Sequence, residues 1–200
     1  GIAANNASTV QTTGSGSVTL LTDSLTLGAA NTVASAGDLT IRPVSDGTSV
    51  GIGSGATGSL ILSDSELAQL SWGSGRLLTI GGTSAGTTTI DTSFAFANPL
   101  AVVSGSGADI VLAAPLTSTS SATTPTLTLA AGRNFVNTAG AAALAPGDGV
   151  WRVYSSDPGA DTRGGLVADF KQYAAAWDAT PVQGSGNGLL YRIQPTLTPG

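Results

Sequence analysis

The residues of this chain that could do acid–base or metal chemistry are almost all carboxylates. The sequence contains 12 Asp and Glu residues and has no Cys, Met or His. Zinc–thiolate sites, disulfides, His-based triads, His metal ligands and His haem ligation are therefore excluded. Enzymes that act on polysaccharides with paired carboxylates stay open as an alternative, because they need neither His nor Cys.

The aspartates of residues 1–145 stand singly along the chain, at Asp23, Asp38, Asp46, Asp64, Asp91 and Asp109. Most of them flank an apolar run or a turn, where an Asp side chain accepts hydrogen bonds from nearby backbone. Asp38 and Asp109 have similar contexts, Gly37-Asp38-Leu39 and Ala108-Asp109-Ile110. We therefore predict that these aspartates stabilise corners of the fold. A catalytic acid pair would form only if two of them met on neighbouring turns.

The densest polar group of the sequence lies near its C-terminal end and comprises Asp157, Asp161, Arg163, Asp169 and Lys171. A Ca²⁺ site needs several oxygen ligands from one loop, but the spacing matches neither an EF-hand nor a Gly-Gly-x-Gly-x-Asp repeat. We predict instead that Arg163 or Arg152 forms a salt bridge with one of these aspartates. No metal, cofactor or catalytic residue is predicted.

Aromatic side chains are the candidates for contact with a partner. Near the C-terminal end they could form a platform for sugars, but large aromatic side chains serve core packing first, which is the preferred interpretation. That group comprises Trp151, Tyr154, Tyr173, Trp177 and Tyr191. Trp72, between Ser71 and Gly73, is predicted to be exposed or half-buried. The candidate contact residues are therefore Trp72, Trp151, Tyr154, Trp177 and Tyr191.

Short apolar runs that alternate with Thr, Ala or Gly recur along the chain. Examples are Val18-Thr19-Leu20, Leu25-Thr26-Leu27, Leu39-Thr40-Ile41 and Leu127-Thr128-Leu129. A period of two indicates half-buried strands, and Gly, Asn, Asp and Ser occupy the gaps. Strands this short and frequent favour a solenoid over a β-sandwich. We predict an all-β fold, a right-handed parallel β-helix with degenerate turns of roughly 20–25 residues.

One short segment has a helical pattern within the predicted coil. Ser63 and Glu66 have the spacing of a capping box, and Leu67 and Leu70 supply an apolar stripe. This pattern predicts one or two helical turns that cover the coil.

The composition changes near residue 145. Residues 146–200 contain all three Tyr, two of the three Trp and four of the seven Lys and Arg. The apolar residues from Leu166 to Trp177 have the spacing of an amphipathic helix, with extended structure as the alternative. We predict a β-helix shaft over residues 1–145. Residues 146–200 are predicted to form a small mixed C-terminal capping module with an exit linker.

The charge balance argues against nucleic acid as a partner. The formal net charge is -5 and Lys plus Arg number only 7, so no basic patch can neutralise phosphates. No apolar run approaches the ~18 residues that a membrane-spanning helix requires. We therefore predict neither nucleic-acid binding nor a transmembrane segment.

Several stretches of the chain carry a family resemblance. In the predicted shaft these are residues 38–44, 51–53, 60–70 and 75–81, and towards the C-terminus they are residues 132–137, 151–158, 163–166 and 191–198. They resemble the filamentous-haemagglutinin-like large exoproteins, adhesins that Gram-negative bacteria export by two-partner secretion. The C-terminal stretches, among them Trp151-Arg152-Val153-Tyr154, resemble the segment that ends a β-helical region in that family.

The resemblance implies a structural and adhesive segment of a large secreted or cell-surface adhesin, in which a rigid β-helical rod presents binding surface. The implied partners are a glycan or protein receptor on host cells or matrix, or neighbouring bacterial cells, and an outer-membrane transporter during export. It brings no catalytic residues, so an enzyme is not predicted. A carbohydrate-active β-helix enzyme (polysaccharide lyase or hydrolase) and a passive spacer stay as alternatives.

Overall fold

The computed structural model describes residues 1–4, 7–28 and 32–195. These residues form short strands and one helical turn. In chain order the elements are β1 (Ile2–Ala4), β2 (Thr9–Gln11), β3 (Val18–Leu21), β4 (Leu25–Leu27), β5 (Thr32–Ser35), β6 (Leu39–Arg42), β7 (Thr48–Ile52), β8 (Leu60–Leu62), α1 (Asp64–Leu67), β9 (Leu70–Trp72), β10 (Leu78–Gly81), β11 (Ala85–Ile90), β12 (Phe94–Phe96), β13 (Leu100–Val103), β14 (Ile110–Leu112), β15 (Leu116–Ser118), β16 (Pro125–Ala130), β17 (Phe135–Asn137), β18 (Leu144–Ala145), β19 (Val150–Ser155), β20 (Phe170–Gln172) and β21 (Gly188–Tyr191).

The strands stack in parallel on three faces of a coil. The first face is a sheet with the order β20-β21-β19-β16-β13-β10-β6-β3, and the second is a sheet with the order β17-β14-β11-β7-β8. β1 and β4 pair in parallel in a separate two-stranded sheet near the N-terminus. The third face consists of two separate sheets, β2-β5-β9 and β12-β15-β18. The chain visits these faces in turn, so the predicted all-β parallel β-helix is confirmed. Its right-handed sense stays a prediction, based on the handedness of parallel crossovers.

Regular turns of the coil have the predicted length. Along the first face Val18 pairs with Leu39, and Leu78 pairs with Leu100, so each of these turns advances by roughly 20–25 residues. The turn from Leu39 to Leu78 is longer, because β8 and α1 are inserted in it. The last turn, between β19 and β21, is also long.

A ladder of buried apolar side chains runs along the inside of the first face. Paired positions of successive strands carry Leu39, Leu78, Leu100, Leu127 and Trp151, and each is at most 3% exposed. Full burial of one such side chain contributes about 1.5–3 kcal/mol. Parallel pairing keeps the register, so each turn buries its apolar residues against the same positions of its neighbours.

Glycine occupies corners where successive turns approach each other closely. A Cβ on Gly132 would lie 1.7 Å from the carbonyl oxygen of Gly105, and a Cβ on Gly105 would lie 2.4 Å from that of Thr83. Ordinary contacts begin at 3.4 Å, so no side chain fits at these corners. The high glycine content therefore serves tight corners of an ordered coil.

The insertion after β7 places a strand beside its own predecessor. β8 pairs with β7 in parallel, with Val50 opposite Leu60, and α1 then leads to β9 on the third face. Ser63 caps α1: its hydroxyl accepts from the Glu66 N–H at 3.4 Å, and the Glu66 carboxylate accepts from the Ser63 N–H at 2.9 Å. The predicted capping box is confirmed, and Leu67 packs into the core.

The C-terminal residues continue the first face. β19 and β21 extend its sheet, and Trp151, Leu189 and Tyr191 belong to the same core cluster as the residues of the preceding turns. The domain division at residue 145 stays a prediction. Residues 196–200 of the predicted exit linker, which include Pro199, lie outside the described residues.

The helix expected from Leu166 to Trp177 is not formed, and this prediction is wrong. β20 lies in the segment and pairs with β21, and φ is positive after it, 53° at Ala174 and 58° at Asp178. The apolar spacing that suggested a helix has another cause, since Phe170 packs against the guanidinium of Arg152. The extended alternative is observed, and described residues 146–195 supply no helix to the predicted mixed cap. Nowhere in the described ranges is a helix long and apolar enough to cross a membrane.

Candidate functional site

Four aspartates at corners of the coil tie neighbouring turns together. Each accepts hydrogen bonds from backbone N–H groups of another turn, at 2.8–3.0 Å: Asp23 from Val44 and Ser45, Asp38 from Leu77, Asp109 from Asn134, and Asp161 from Phe135. These bonds satisfy backbone donors where a corner interrupts the strand ladder. The predicted corner role is confirmed for Asp23, Asp38 and Asp109.

Asp109 and Asp161 reach successive backbone N–H groups at the start of β17, from different turns. The Arg133 guanidinium lies 2.7 Å from Asp109, and its hydrogen bond lowers the pKa of that carboxyl. Burial raises the pKa of Asp161, whose carboxylate accepts from the Ser155 hydroxyl at 2.6 Å. Both carboxylates are engaged in structural contacts, and neither lines either of the two grooves described below.

The salt bridges predicted for Arg152 and Arg163 are not formed. Within the described ranges the ion pair is that of Arg133 with Asp109. Arg152 is only 6% exposed, lies 4.9 Å from the centroid of the Phe170 ring and donates to backbone carbonyl oxygens. Burial lowers the pKa of Arg152. The Phe170 ring and the backbone carbonyl oxygens therefore contact the Arg152 guanidinium where an Asp carboxylate was expected.

The polar group near the C-terminal end does not assemble as a metal site. Asp161 bonds to Phe135, whereas Asp169 accepts from the Asn187 N–H at 2.6 Å in a different corner. In the part of the chain that the structure describes, no group of three or more acidic side chains could hold a metal ion. These aspartates therefore serve separate corners.

The predicted contact residues divide into buried and partly exposed side chains. Trp151, Tyr154 and Tyr191 are 3%, 8% and 0% exposed. Trp151 and Tyr191 therefore pack the core, as the preferred interpretation of the sequence had it, and are not available as a contact surface. Trp72 and Trp177 keep partial exposure and line separate grooves. The structure does not bring the five residues onto one surface.

The C-terminal groove is defined by Val103, Tyr154, Ala175, Trp177 and Arg192 and has a volume of about 230 Å³. Val103, Tyr154 and Ala175 belong to an apolar cluster that is separate from the main core. The Arg192 guanidinium donates to a backbone carbonyl of a neighbouring turn. This groove therefore combines a small apolar floor with one cationic side chain.

The aromatic groove is larger, about 410 Å³, and is defined by Leu67, Trp72, Phe94, Phe96 and Asn98. The ring centroids of Trp72 and Phe96 are 6.3 Å apart, and those of Phe94 and Phe96 are 5.8 Å apart. Asn98 crosses one end, where its side-chain amide donates to the Trp72 carbonyl oxygen at 3.3 Å. The volume of this groove lies within the range of known ligand pockets, and its lining is mainly apolar and aromatic.

The aromatic groove lies where the third face is interrupted. β9 ends one of its sheets and β12 begins the other, and no strand pairing joins the two in the described residues. The insertion explains this break, because β8 adds a strand to the second face while no strand is added to the third. The third face is therefore one strand short at this level of the coil.

Sequence reasoning missed most of the aromatic groove. The alternation predicts a strand at Phe94–Phe96 but no site there, and Asn98 is not predicted to have a role. The available signal was that two of the four Phe residues, Phe94 and Phe96, stand in one short alternating run.

Comparison with known proteins gives no match for this chain. No family model, no curated protein and no solved structure matches it. A function must therefore be argued from the coil, its corners and its two grooves.

Proposed function

We propose that this chain is a structural and adhesive segment of a large bacterial protein that is secreted or displayed at the cell surface. The observation that carries the proposal is the parallel sheet that runs from β3 to β20 beside one core cluster. Each turn rests on the next, as in other solenoid repeats, so the surface is displayed along a rod. A rod of this kind holds binding surface away from the cell.

Stiffness of the rod comes from bonds that run along its axis. A strand in a parallel sheet bonds to a neighbour on each side, and corner aspartates add links between turns, as Asp38 does to Leu77 at 2.9 Å. Because each turn contacts mainly its neighbours, folding can propagate from turn to turn. This property supports export of an unfolded chain through an outer-membrane transporter, with folding outside the cell.

The two grooves supply surface for specific contact. The C-terminal groove presents Trp177, and the aromatic groove presents Trp72 and Phe94. Aromatic side chains offer a large contact area and lose little conformational freedom when they are bound. The partner that we propose is a glycan or protein receptor on host cells or matrix, or on neighbouring bacterial cells.

The contacts of the aspartates favour presentation over catalysis. A carbohydrate-active enzyme needs two carboxylates that flank a substrate in a groove. Asp109 and Asp161 instead bond to backbone N–H groups, to Arg133 and to Ser155. These contacts support a structural role for the acidic side chains.

A glycan array combined with a cell-adhesion assay on the immobilised chain tests the proposal. We expect binding that falls about tenfold in Trp72→Ala or Trp177→Ala, a loss of roughly 1.4 kcal/mol. Val167→Ala is the matched control, because Val167 is 84% exposed and lines neither groove. If the chain binds no glycan, matrix protein or cell, the adhesive role is refuted and the passive spacer is left.

A further inference from the structure

We infer that the aromatic groove is an acceptor site for one extended peptide strand of a partner polypeptide, which would complete the third face by pairing with both β9 and β12. The inference does not depend on the adhesive function proposed above. Three observations carry it: the strand that is lacking at this level, the direction of the backbone groups at both edges, and the apolar lining.

The backbone of β12 directs one peptide edge into the break. The Phe94 N–H donates to the Pro115 carbonyl at 3.3 Å, and the Phe96 carbonyl accepts from the Thr119 N–H at 2.8 Å. The backbone N–H and C=O groups of Phe94 and Phe96 therefore point towards β15. Alternate residues of a strand direct their N–H and C=O groups to opposite neighbours. The N–H and C=O of Ala95 consequently point away from β15 and towards β9.

The backbone of β9 directs a second peptide edge into the same break. The Gln69 carbonyl accepts from the Val33 N–H at 2.9 Å, so Gln69 faces β5. Because the backbone groups alternate in direction, those of Leu70 and Trp72 point towards the break. The hydrogen bond from the Asn98 side chain to the Trp72 carbonyl oxygen agrees with this direction. An added strand would therefore meet peptide groups on both of its sides, which is the basis of recognition by strand addition.

The lining defines the chemistry of the strand. The floor is apolar, with Leu70 and Phe96 at 8% and 6% exposure. The indole N–H of Trp72 is buried and has no acceptor among the described residues, and a buried donor without a partner costs about 1–3 kcal/mol. Asp64 is the charged residue of the lining. The strand that fits is extended, carries small or β-branched apolar side chains towards the floor, and has a Lys or Arg beside Asp64.

A random heptapeptide library displayed on phage, selected against the intact chain, supplies the probes for a test. We expect enriched peptides that alternate apolar with polar residues and carry a basic end. The synthesised peptides should slow hydrogen exchange of the Leu70 and Ala95 amides by about tenfold or more. Methylation of the peptide nitrogens that face either edge should abolish binding, because it removes the main-chain donors.

Two variants at one position separate strand addition from simple apolar contact. Ala95→Pro removes an N–H that faces the break, while the bonds from Phe94 and Phe96 to β15 stay in place, and it should weaken peptide binding about tenfold. Ala95→Val keeps the N–H and should bind like the parent chain. Asp64→Asn should remove the preference for a basic end.

Several outcomes would overturn the inference. The first is a selection that yields no binding peptide. The second is peptide binding that is unchanged both by Ala95→Pro and by methylation of the peptide backbone. The third is an oligosaccharide that binds in the groove and does not slow hydrogen exchange of the Leu70 and Ala95 amides. If Ala95→Pro fails to fold, the inference is tested by the hydrogen-exchange measurement and the methylated peptides, which both use the parent chain.

Discussion

Replacement of Gly132 by Ala should destabilise the coil, because the neighbouring turn leaves no space for a methyl group. A Cβ there would lie 1.7 Å from the Gly105 carbonyl oxygen and 2.9 Å from the Ser106 nitrogen. The Gly132 N–H also donates to the Ser104 hydroxyl oxygen at 3.0 Å. Restoring ordinary contact would move the two turns apart by more than about 1 Å, which is large beside a strand spacing of about 4.8 Å.

The magnitude follows from this displacement. Overpacking costs about 1–3 kcal/mol, and separated turns would lose one or two hydrogen bonds worth about 1 kcal/mol each. The reduced freedom of Ala in the unfolded chain offsets about 0.4–1 kcal/mol of this. We therefore expect the free energy of unfolding to fall by about 2–4 kcal/mol, and Tm to fall by roughly 5–15 °C for a chain of this size.

Urea unfolding followed by circular dichroism, together with calorimetry, measures this effect. Gly159→Ala is the matched control, because the nearest neighbour of a Cβ at Gly159 is the Asp157 carboxylate at 3.3 Å. Its stability should stay within about 0.5 kcal/mol of the parent chain. If Gly132→Ala were as stable as Gly159→Ala, the close approach of turns at this corner would be refuted.

Four other substitutions test the corners, the core and the helix cap by the same unfolding measurement. Burial raises the pKa of Asp161 above its ordinary value of 3.8. Part of the free energy of unfolding is therefore present below pH 3.8 and is lost as the pH rises through the raised pKa. Asp161→Asn keeps an oxygen that accepts from the Phe135 N–H and should remove this loss of stability at higher pH. An unchanged dependence of stability on pH would contradict the raised pKa of Asp161. Asp109→Asn should act in the opposite sense: the hydrogen bond from Arg133 lowers the pKa of Asp109, so the variant should be less stable than the parent above pH 3.8 and approach it as pH falls through the lowered pKa. Phe135→Ala should cost about 3–5 kcal/mol, because Phe135 is 0% exposed, and a loss below about 1 kcal/mol would be inconsistent with its burial. Ser63→Ala should cost about 1 kcal/mol through loss of the cap and speed hydrogen exchange in α1, whereas unchanged exchange would show that the cap does not hold α1.

Much of the coil was predictable from sequence because its strands have a local signature. The alternation in Leu39-Thr40-Ile41 and Leu127-Thr128-Leu129 places apolar side chains on one side of each strand, and both segments are strands with buried Leu. The capping box at Ser63 and the corner position of Asp109 are also local patterns. Each needs only a few consecutive residues to be recognised.

The wrong predictions concern contacts between distant segments. Arg152 was expected to meet a carboxylate nearby in sequence, but it packs against Phe170 and bonds to the carbonyl of Gly186. The apolar spacing after Leu166 suggested a helix, but pairing of β20 with β21 decides its conformation. A single-sequence pattern contains no information on which turns become neighbours, so tertiary pairing overrides it.

The aromatic groove depends on such a non-local arrangement, since one insertion produces both its lining and its open edges. β8 adds a strand to the second face, and the third face, which has none to match it, is left open between β9 and β12. In the regular turns of the third face strand pairing closes the wall, and Leu116 lies opposite Leu144 in the core. At the break, larger rings reach across instead, with the centroids of Trp72 and Phe96 6.3 Å apart. The aromatic cluster therefore closes the core only in part, and it does so at the level where the peptide groups of Leu70 and Ala95 face the break. Among the described residues, the apolar floor therefore lies beside two peptide edges that have no strand partner on that side, and an added strand would complete this surface.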